Sequence, residues 1–334
     1  MTIRAWAPGR VNLIGDHTDY TGGLVLPLAI DLATTVEVER GGDVVRLRSS
    51  AEAEPAVVPL DVADPSAVEP AWARYVAGVV AEVRPSAGAV GHVRSTVPTG
   101  AGLSSSAALE VAVALALGFE GSPVELALAC QRAEQRASGV PSGIMDQLAS
   151  TAGVAGAALL LDCSALAWEA VPLPEDMEVV VVHSGQARAL VGSPYAERRR
   201  QCEAAEALVG PLATASPEAV EAIADPVVRR RARHVVTENG RVRSAAVALA
   251  AGEAAEAGRL MAASHASLRD DFEVSTPRLD ALVGDLHAAP GVHGVRLTGA
   301  GFGGCVVALT ERGALPSDRG WHVRAVAGAR VEGG

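Results

Sequence analysis

The sequence predicts an α+β fold in two halves, and three observations carry that expectation. Short alternating or apolar runs, which read as strands, are interspersed with longer runs of helical spacing. A glycine- and serine-rich loop in TVPTGAGLSSSAALEVAVAL (96–115) runs straight into an apolar, alanine-rich helix. Near the other end, GVRLTGAGFGGCVVALT (294–310) sets a Gly-rich turn between two short apolar strands. With 334 residues and 49 % hydrophobic content, the chain is long enough for two domains with well-buried cores.

Taken in order, residues 1–11 read as a strand ending in the turn-forming Ala7-Pro8-Gly9, and Leu24–Ile30 is apolar around Pro27. Thr34–Glu39 (TTVEVE) and Asp43–Arg48 (DVVRLR) alternate like half-exposed strands, joined by a turn at Gly41-Gly42. Glu52–Pro70 is rich in Pro, Asp and Glu and predicts a loop. Trp72–Val83 has helical spacing, Gly91–Val97 reads as a strand, and the helix after the glycine loop ends near Gly118. Further helices are expected over Pro123–Ser138 and from within Ser142–Ser150, followed by a small-residue stretch to Leu161. A boundary near Cys163–Pro174 divides the chain into 1–165 and 166–334. The second half opens with the buried strand Glu178–Val182. It continues with helices over Arg198–Leu208, Val227–Ala251 (one or two) and Leu279–His287, and closes on the Gly-rich turn Leu297–Gly304.

Composition excludes several classes of function. A net charge of −11 disfavours nucleic acid and anionic membranes as partners and favours a monomer. No apolar run reaches about 18 residues, and the N-terminus carries no basic-then-apolar signal pattern, so the cytosol is the expected compartment. The four cysteines form no CxxC pair and no HExxH occurs, which argues against structural zinc and a disulfide framework.

The loop at 96–115 suits phosphate. Its glycines let backbone N–H groups approach an anion, and the helix start adds unpaired donors and the positive end of the macrodipole. Ser104, Ser105 and Ser106 offer hydroxyls to phosphate oxygens or to a metal. The competing interpretation is a serine-capped buried helix. All 28 basic residues are arginine, so neither a Walker A lysine nor the lysine of the protein-kinase strand is available. ATP bound here must be held by backbone amides, serines and Mg2+.

Two further segments carry chemistry. In APGRVNLIGDHTDYTGG (7–23), Arg10, Asp16, His17, Asp19 and Tyr20 crowd between glycines, which suits a polyhydroxylated ligand or, equally, a solvated polar turn. In CQRAEQRASGVPSGIMDQLAS (130–150), Glu134 lies on a helix and Asp146 sits between Met145 and Leu148, drawn toward the interior. A buried carboxylate needs a partner, and Arg10 is a candidate. Stabilisation of a helix N-terminus is the alternative role for Asp146.

Together these segments resemble the three motifs of the GHMP kinase superfamily, and in detail those of its galactokinase family. APGRVNLIGDHTDYTGG resembles the galactokinase opening motif, GAGLSSSAA the ATP loop and SGIMDQLAS the segment with the catalytic aspartate. SPYAERRRQCE, RARHVVTEN, SLRDDFEVS and LTGAGFGGC extend the resemblance over nearly the whole chain. It implies an N-terminal domain like the second domain of ribosomal protein S5, a ferredoxin-like C-terminal domain and an active site between them. It implies that Asp146 is the catalytic aspartate and Arg10 its supporting arginine. Asp16, His17, Thr18, Asp19, Gly143 and Tyr195 would bind the sugar. Gly100, Ala101, Gly102, Leu103, Ser104, Ser105 and Ser106 would form the phosphate loop, with Trp72 near the adenine. Ser106 and Glu134 would be the Mg2+ ligands.

The implied reaction moves the γ-phosphoryl group of ATP to the anomeric hydroxyl of galactose. Two features depart from the family pattern. Glutamate is usual where this chain has Asp16, and the chain starts almost at the first motif. Both border the sugar site, so a kinase for N-acetylgalactosamine or arabinose is a rival reading. A non-catalytic galactose sensor should have a damaged loop or base, and here both are intact.

Overall fold

The computed structural model of the chain describes residues 2–186 and 194–332. The alternating runs of the first half form a six-stranded sheet. Its strands are β1 (Thr2–Asn12), β3 (Pro27–Arg40), β4 (Val44–Ser49), β5 (Ala56–Pro59) and β6 (Ala89–Ser95), plus β13 (Arg330–Glu332) from the C-terminal end. The order is β13-β1-β3-β6-β4-β5. The turn at Gly41-Gly42 therefore does not join neighbouring strands. β6 inserts between β3 and β4, antiparallel to the first and parallel to the second. The turn is bonded to the start of β6 instead: Gly41 N–H donates to the Gly88 carbonyl at 2.7 Å and Gly88 N–H to the Gly42 carbonyl at 2.9 Å. The expected loop 52–70 contains the edge strand β5, which pairs with β4.

One face of this sheet is covered by α1 (Ala73–Val83), α2 (Ser105–Ala116) and α3 (Pro123–Ser138). Inward residues of the strands, among them Val36, Val38, Val45 and Leu47, pack on Val76, Val80, Val111 and Ala133 of the helices. The period-2 alternation read from the sequence is this inside-outside pattern. Small residues on α2 let it lie deep, with Ala107, Ala108, Ala112 and Ala114 fully buried. The start of α3 is set by a capping box between Ser122 and Glu125 with Pro123 behind it, and its end by Gly139 in the left-handed region. α4 (Met145–Ala152) follows. The small-residue stretch after it contains β7 (Ala157–Asp162), which pairs with β2 (Leu24–Val25) and β8 (Ala167–Pro172) in a three-stranded sheet.

The second half holds a four-stranded antiparallel sheet of order β10-β11-β9-β12, from β9 (Met177–His183), β10 (Val292–Thr298), β11 (Cys305–Glu311) and β12 (Trp321–Val323). Its helices are α5 (Pro194–Val209), α6 (Pro217–Glu221), α7 (Pro226–Ala250), α8 (Ala254–Asp270) and α9 (Pro277–His287). The run Val179-Val180-Val181-Val182 is apolar without alternation because both faces of β9 are covered. Val180 and Val182 join a core with Val235, Phe272 and Leu279, while Val179 and Val181 join another with Leu26, Leu28 and Met261. That second core draws residues from both halves of the chain. All four cysteines are buried, and among the described residues no helix is long and apolar enough to cross a membrane.

Candidate active site

β1 ends close to the starts of α2 and α4, and the turn after β10 meets them. A cavity opens at this junction, lined on one side by Gly100, Gly102 and Ser104 to Ser106 and on the other by Asp16, His17, Asp19 and Tyr195. The approach of β1 to the glycine loop depends on Gly9. A Cβ there would meet the Leu103 carbonyl and both methyls of Val97. The pairing of β1 with β3 shifts register at this point, and Arg10 N–H donates to the Leu103 carbonyl at 3.1 Å. Strand irregularities re-aim side chains, and here Arg10 is delivered to the mouth of the glycine loop.

Arg10 and Asp146 meet as expected, but the buried member of the pair is Arg10, while the Asp146 side chain stays 28 % exposed. Arg10 Nε donates to Asp146 Oδ1 at 2.8 Å, its Nη2 lies 2.6 Å from the same oxygen, and its Nη1 donates to the Gly102 carbonyl at 2.7 Å. The other carboxylate oxygen, Oδ2, accepts from the Ser104 hydroxyl. Ser104 stands in the left-handed region with φ 58°, uncommon for a residue with a Cβ, and caps nothing. The first-turn N–H groups of α2 therefore face the cavity without a side-chain cap, which removes the serine-capped reading of this helix. Gly100 and Gly102 also take positive φ, whereas Ala101 and Leu103 point into the core.

Ser106 and Glu134 also come together. The Ser106 hydroxyl donates to Glu134 Oε1 at 2.8 Å, while Oε2 accepts from Gln147 Nε2 at 2.8 Å and from Ser142 Oγ at 3.2 Å. Burial, then the charge of Asp146, pushes the Glu134 carboxyl above its usual range. A carboxylate and a hydroxyl beside an anion-binding loop form a hard-oxygen donor set that leaves room for phosphate and water ligands, the coordination Mg2+ prefers. A cation would also relieve the two neighbouring anions, so the residues fit the ion.

The sugar-loop candidates divide. Asp19 faces the cavity and its carboxyl is pushed up to about 7 by burial, then by the charges of Asp146 and Asp16. Gly143 lies hard against it, since a Cβ at 143 would collide with the Asp19 carboxylate. His17, at φ 67°, has Nδ1 3.0 Å from Tyr20 Oη and Nε2 3.2 Å from the Ala300 carbonyl, and its ring lies 5.6 Å from that of Tyr195. Asp16 turns its carboxylate away toward β10 and the following turn. Oδ1 accepts from Gly299 N–H at 2.8 Å, and Oδ2 lies 2.6 Å from Nη1 of the fully buried Arg296. Thr18 does not line the cavity; its hydroxyl is shared between the Gly15 and Leu24 carbonyls and holds the loop's shape. Trp72 also lies outside the lining, because it sits before the first residue of α1, where its indole N–H donates to the Glu54 carbonyl at 3.0 Å. Tyr75, one turn along the same helix, lines the cavity instead. Sequence reasoning missed Tyr75, Arg296 and Ser142. Tyr75 alone carried a signal, an aromatic residue on an otherwise aliphatic helix face.

Comparison with known proteins follows the same residues. Residues 3–40, which hold Arg10 and the sugar loop, match the galactokinase galactose-binding signature. Residues 74–154 match the N-terminal domain of GHMP kinases and residues 245–317 the C-terminal one. The chain is 46 % identical over 335 residues to the galactokinase of Roseiflexus sp. (strain RS-1), covering 94 % of this chain and 84 % of that protein. It superposes on Lactococcus lactis galactokinase complexed with galactose with a TM-score of 0.90 at 33 % identity, over 98 % of this chain and 95 % of the other. Mevalonate kinase of Methanococcus jannaschii shares the fold, with a TM-score of 0.65 at 20 % identity over 93 % and 90 % of the two chains. The chain belongs to the galactokinase family of the GHMP kinases.

Proposed function

We propose that this site transfers the γ-phosphoryl group of ATP to the anomeric hydroxyl of D-galactose, giving α-D-galactose 1-phosphate and ADP. The observation that carries the reading is the position of Asp146. It is held between Arg10 and Ser104 where the sugar loop and the uncapped start of α2 face one cavity. The phosphates of ATP lie on the backbone amides of residues 100–106, favoured by the glycine conformations and the helix dipole. The purine lies on the α1 side, where Tyr75 lines the cavity and Trp72 stands one turn before it. Ser106 and Glu134 would hold Mg2+, which would supply positive charge against the phosphate oxygens.

Galactose takes the space bordered by Asp19, His17, Gly143 and Tyr195, with its anomeric hydroxyl toward Asp146. As the new P–O bond forms and the bond to ADP breaks, Asp146 accepts the hydroxyl proton. Arg10, paired with Asp146, orients its carboxylate and balances charge on the group in flight. Phosphoryl transfer is largely positioning and electrostatics, so the loop amides, with the charge a bound metal would add, supply much of the acceleration. A sugar with the wrong C4 configuration leaves a buried acceptor or hydroxyl unmet, which is the physical basis of selectivity. ATP as co-substrate supports a cytoplasmic location, and the net charge of −11 supports a monomeric working state.

Asp146→Asn tests the assignment. The variant should fold, bind galactose in calorimetry and lose about a thousandfold or more in turnover. Retention of more than about a tenth of wild-type turnover would remove Asp146 from the chemistry. The Asp16 substitution keeps one rival alive, and a panel of galactose, N-acetylgalactosamine and arabinose in an ADP-release assay separates them.

A further inference from the structure

One buried carboxylate in this region has no part in the chemistry above. Glu110 lies in the middle of α2 and is fully buried. Its Oε2 accepts from Gln147 Nε2 at 3.2 Å, and the same nitrogen donates to Glu134 Oε2 at 2.8 Å. Two carboxylates thus fix which end of the Gln147 amide is the nitrogen. That assignment leaves two acceptors over. Glu110 Oε1 and Gln147 Oε1 are both buried, and neither has a hydrogen-bond donor among the described residues. Buried polar atoms are rarely left in this state, because each loses its water and gains nothing in exchange. The two orphans belong to side chains already joined by one hydrogen bond, and a proton on Glu110 would give the pair the donor it lacks.

We propose that Glu110 is a positioning residue: as a neutral carboxylic acid it donates from Oε1 to Gln147 Oε1, completing a two-point acid–amide pair that holds the Gln147 amide, and through it Glu134, in place. The surroundings favour that form. Burial, then the charge of Glu134, pushes Glu110 well above the usual carboxyl range. The ionisable groups of the neighbouring helices that interact with it electrostatically are Tyr75 on α1, Cys130 and Glu134 on α3 and Asp146 on α4. None of these brings a positive charge. An ionised Glu110 would repel Glu134 and leave the Gln147 carbonyl oxygen unmet. As a neutral acid it locks α2 to α4 next to Asp146 and supports the Glu134 carboxylate with a fixed N–H, the kind of outer contact that orients a metal ligand. The consequence for turnover rests on the reading of Glu134 as a Mg2+ ligand.

Two measurements decide it. Infrared difference spectra of ligand-free wild type against Glu110→Gln at neutral pH should show a carboxylic-acid C=O band that the variant lacks. A wild type without that band overturns the proposal. Mg2+ titration of turnover should then separate two variants. The amide of Glu110→Gln can form the same two bonds and should keep kcat and half-saturating Mg2+ within about threefold of wild type. Glu110→Leu removes both bonds and should lose about tenfold in kcat or raise half-saturating Mg2+ as much, with galactose KM little moved. If Glu110→Gln falls as far as Glu110→Leu, the carboxylate charge is what matters and the acid–amide pair is wrong. The band and the Gln variant decide the question even if the Leu variant does not fold. Failure of the metal reading shows separately, as an unmoved Mg2+ curve in Glu134→Gln.

Discussion

Asp16 and Asp19 are three residues apart, yet the fold gives them opposite tasks. Asp16 is closed off against Arg296 and Gly299 N–H, so the route we propose for it to the sugar is indirect, through the turn it anchors. Adding a methylene at this closed pair displaces the turn by about 1–1.5 Å. Asp16→Glu should change the kcat/KM ratio between galactose and analogues altered at C2 or C6 by about tenfold, or 1.4 kcal/mol, with ATP KM almost unmoved. An unchanged sugar ranking with a raised ATP KM would mean that Asp16 does not serve the sugar side. Asp19 faces the cavity and titrates near 7, raised by burial and by Asp146 and Asp16. Below about pH 7 its neutral form is the favoured one in the empty site. Its stabilising contribution is therefore complete below the unfolded value of 3.8 and fades as pH rises through about 7. Sugar hydroxyls donate to the ionised form, so galactose binding below about 7 should release a proton, and affinity should climb with pH until that point. Calorimetry in buffers of different ionisation enthalpy counts the proton, and Asp19→Asn should abolish both effects. Binding at pH 6 with no proton released would contradict the assignment. The pairing of Arg10 with Asp146 was legible because a carboxylate set between apolar neighbours calls for a partner, although in the fold it is Arg10 that is buried and Asp146 that stays partly exposed. Arg296 was not, since nothing in GVRLTG says that its arginine points into the protein.

At the scale of elements, the start of α2 shows how a motif divides its labour. The hydroxyl of Ser104 serves Asp146, and the first turn of α2 keeps its amides free of a side-chain cap, as the proposed phosphate site needs. Ser104→Ala should therefore lower kcat about tenfold through Asp146 while leaving helix stability within about 0.5 kcal/mol, because no cap is lost. Equal losses in stability and turnover would point to a capping role. The turn before α4 makes a second case. Gly143→Ala would drive a methyl into the Asp19 carboxylate, so galactose KM should rise about tenfold or more in steady-state assays, with the melting temperature nearly unchanged. An unaltered KM would mean that Asp19 can swing aside. Most helices were legible from period and caps, down to Pro123–Ser138 with its capping box. α8 was not, because its buried face is largely alanine, glycine, serine and histidine and shows little apolar contrast. β5 was hidden in a Pro- and Asp-rich stretch, since edge strands tolerate such residues.

At the scale of the whole molecule, the two halves are stitched by buried polar groups as well as by the shared core. Glu238 on α7 accepts from Gly15 N–H at 3.0 Å and from the Ser264 hydroxyl, and pairs with Arg241 at 2.6 Å. Glu238→Ala should cost about 3–5 kcal/mol in denaturant unfolding, because it strands a buried amide and an arginine. It should also weaken galactose binding by loosening the loop that begins at Gly15; a loss under about 1 kcal/mol would show that the staple is dispensable. The sequence by itself determined the class of fold, the order of most elements and the segments that meet at the site, because burial period, caps and glycine positions are local signals. Only the tertiary structure decided that β6 parts β3 from β4, that Asp16 belongs to Arg296, and that Gln147 stands between Glu110 and Glu134. Periodicity tells a residue which face it occupies, not what it will face. Those partners lie tens to hundreds of residues away, and the low dielectric of the interior that makes their pairing decisive exists only once the chain has folded.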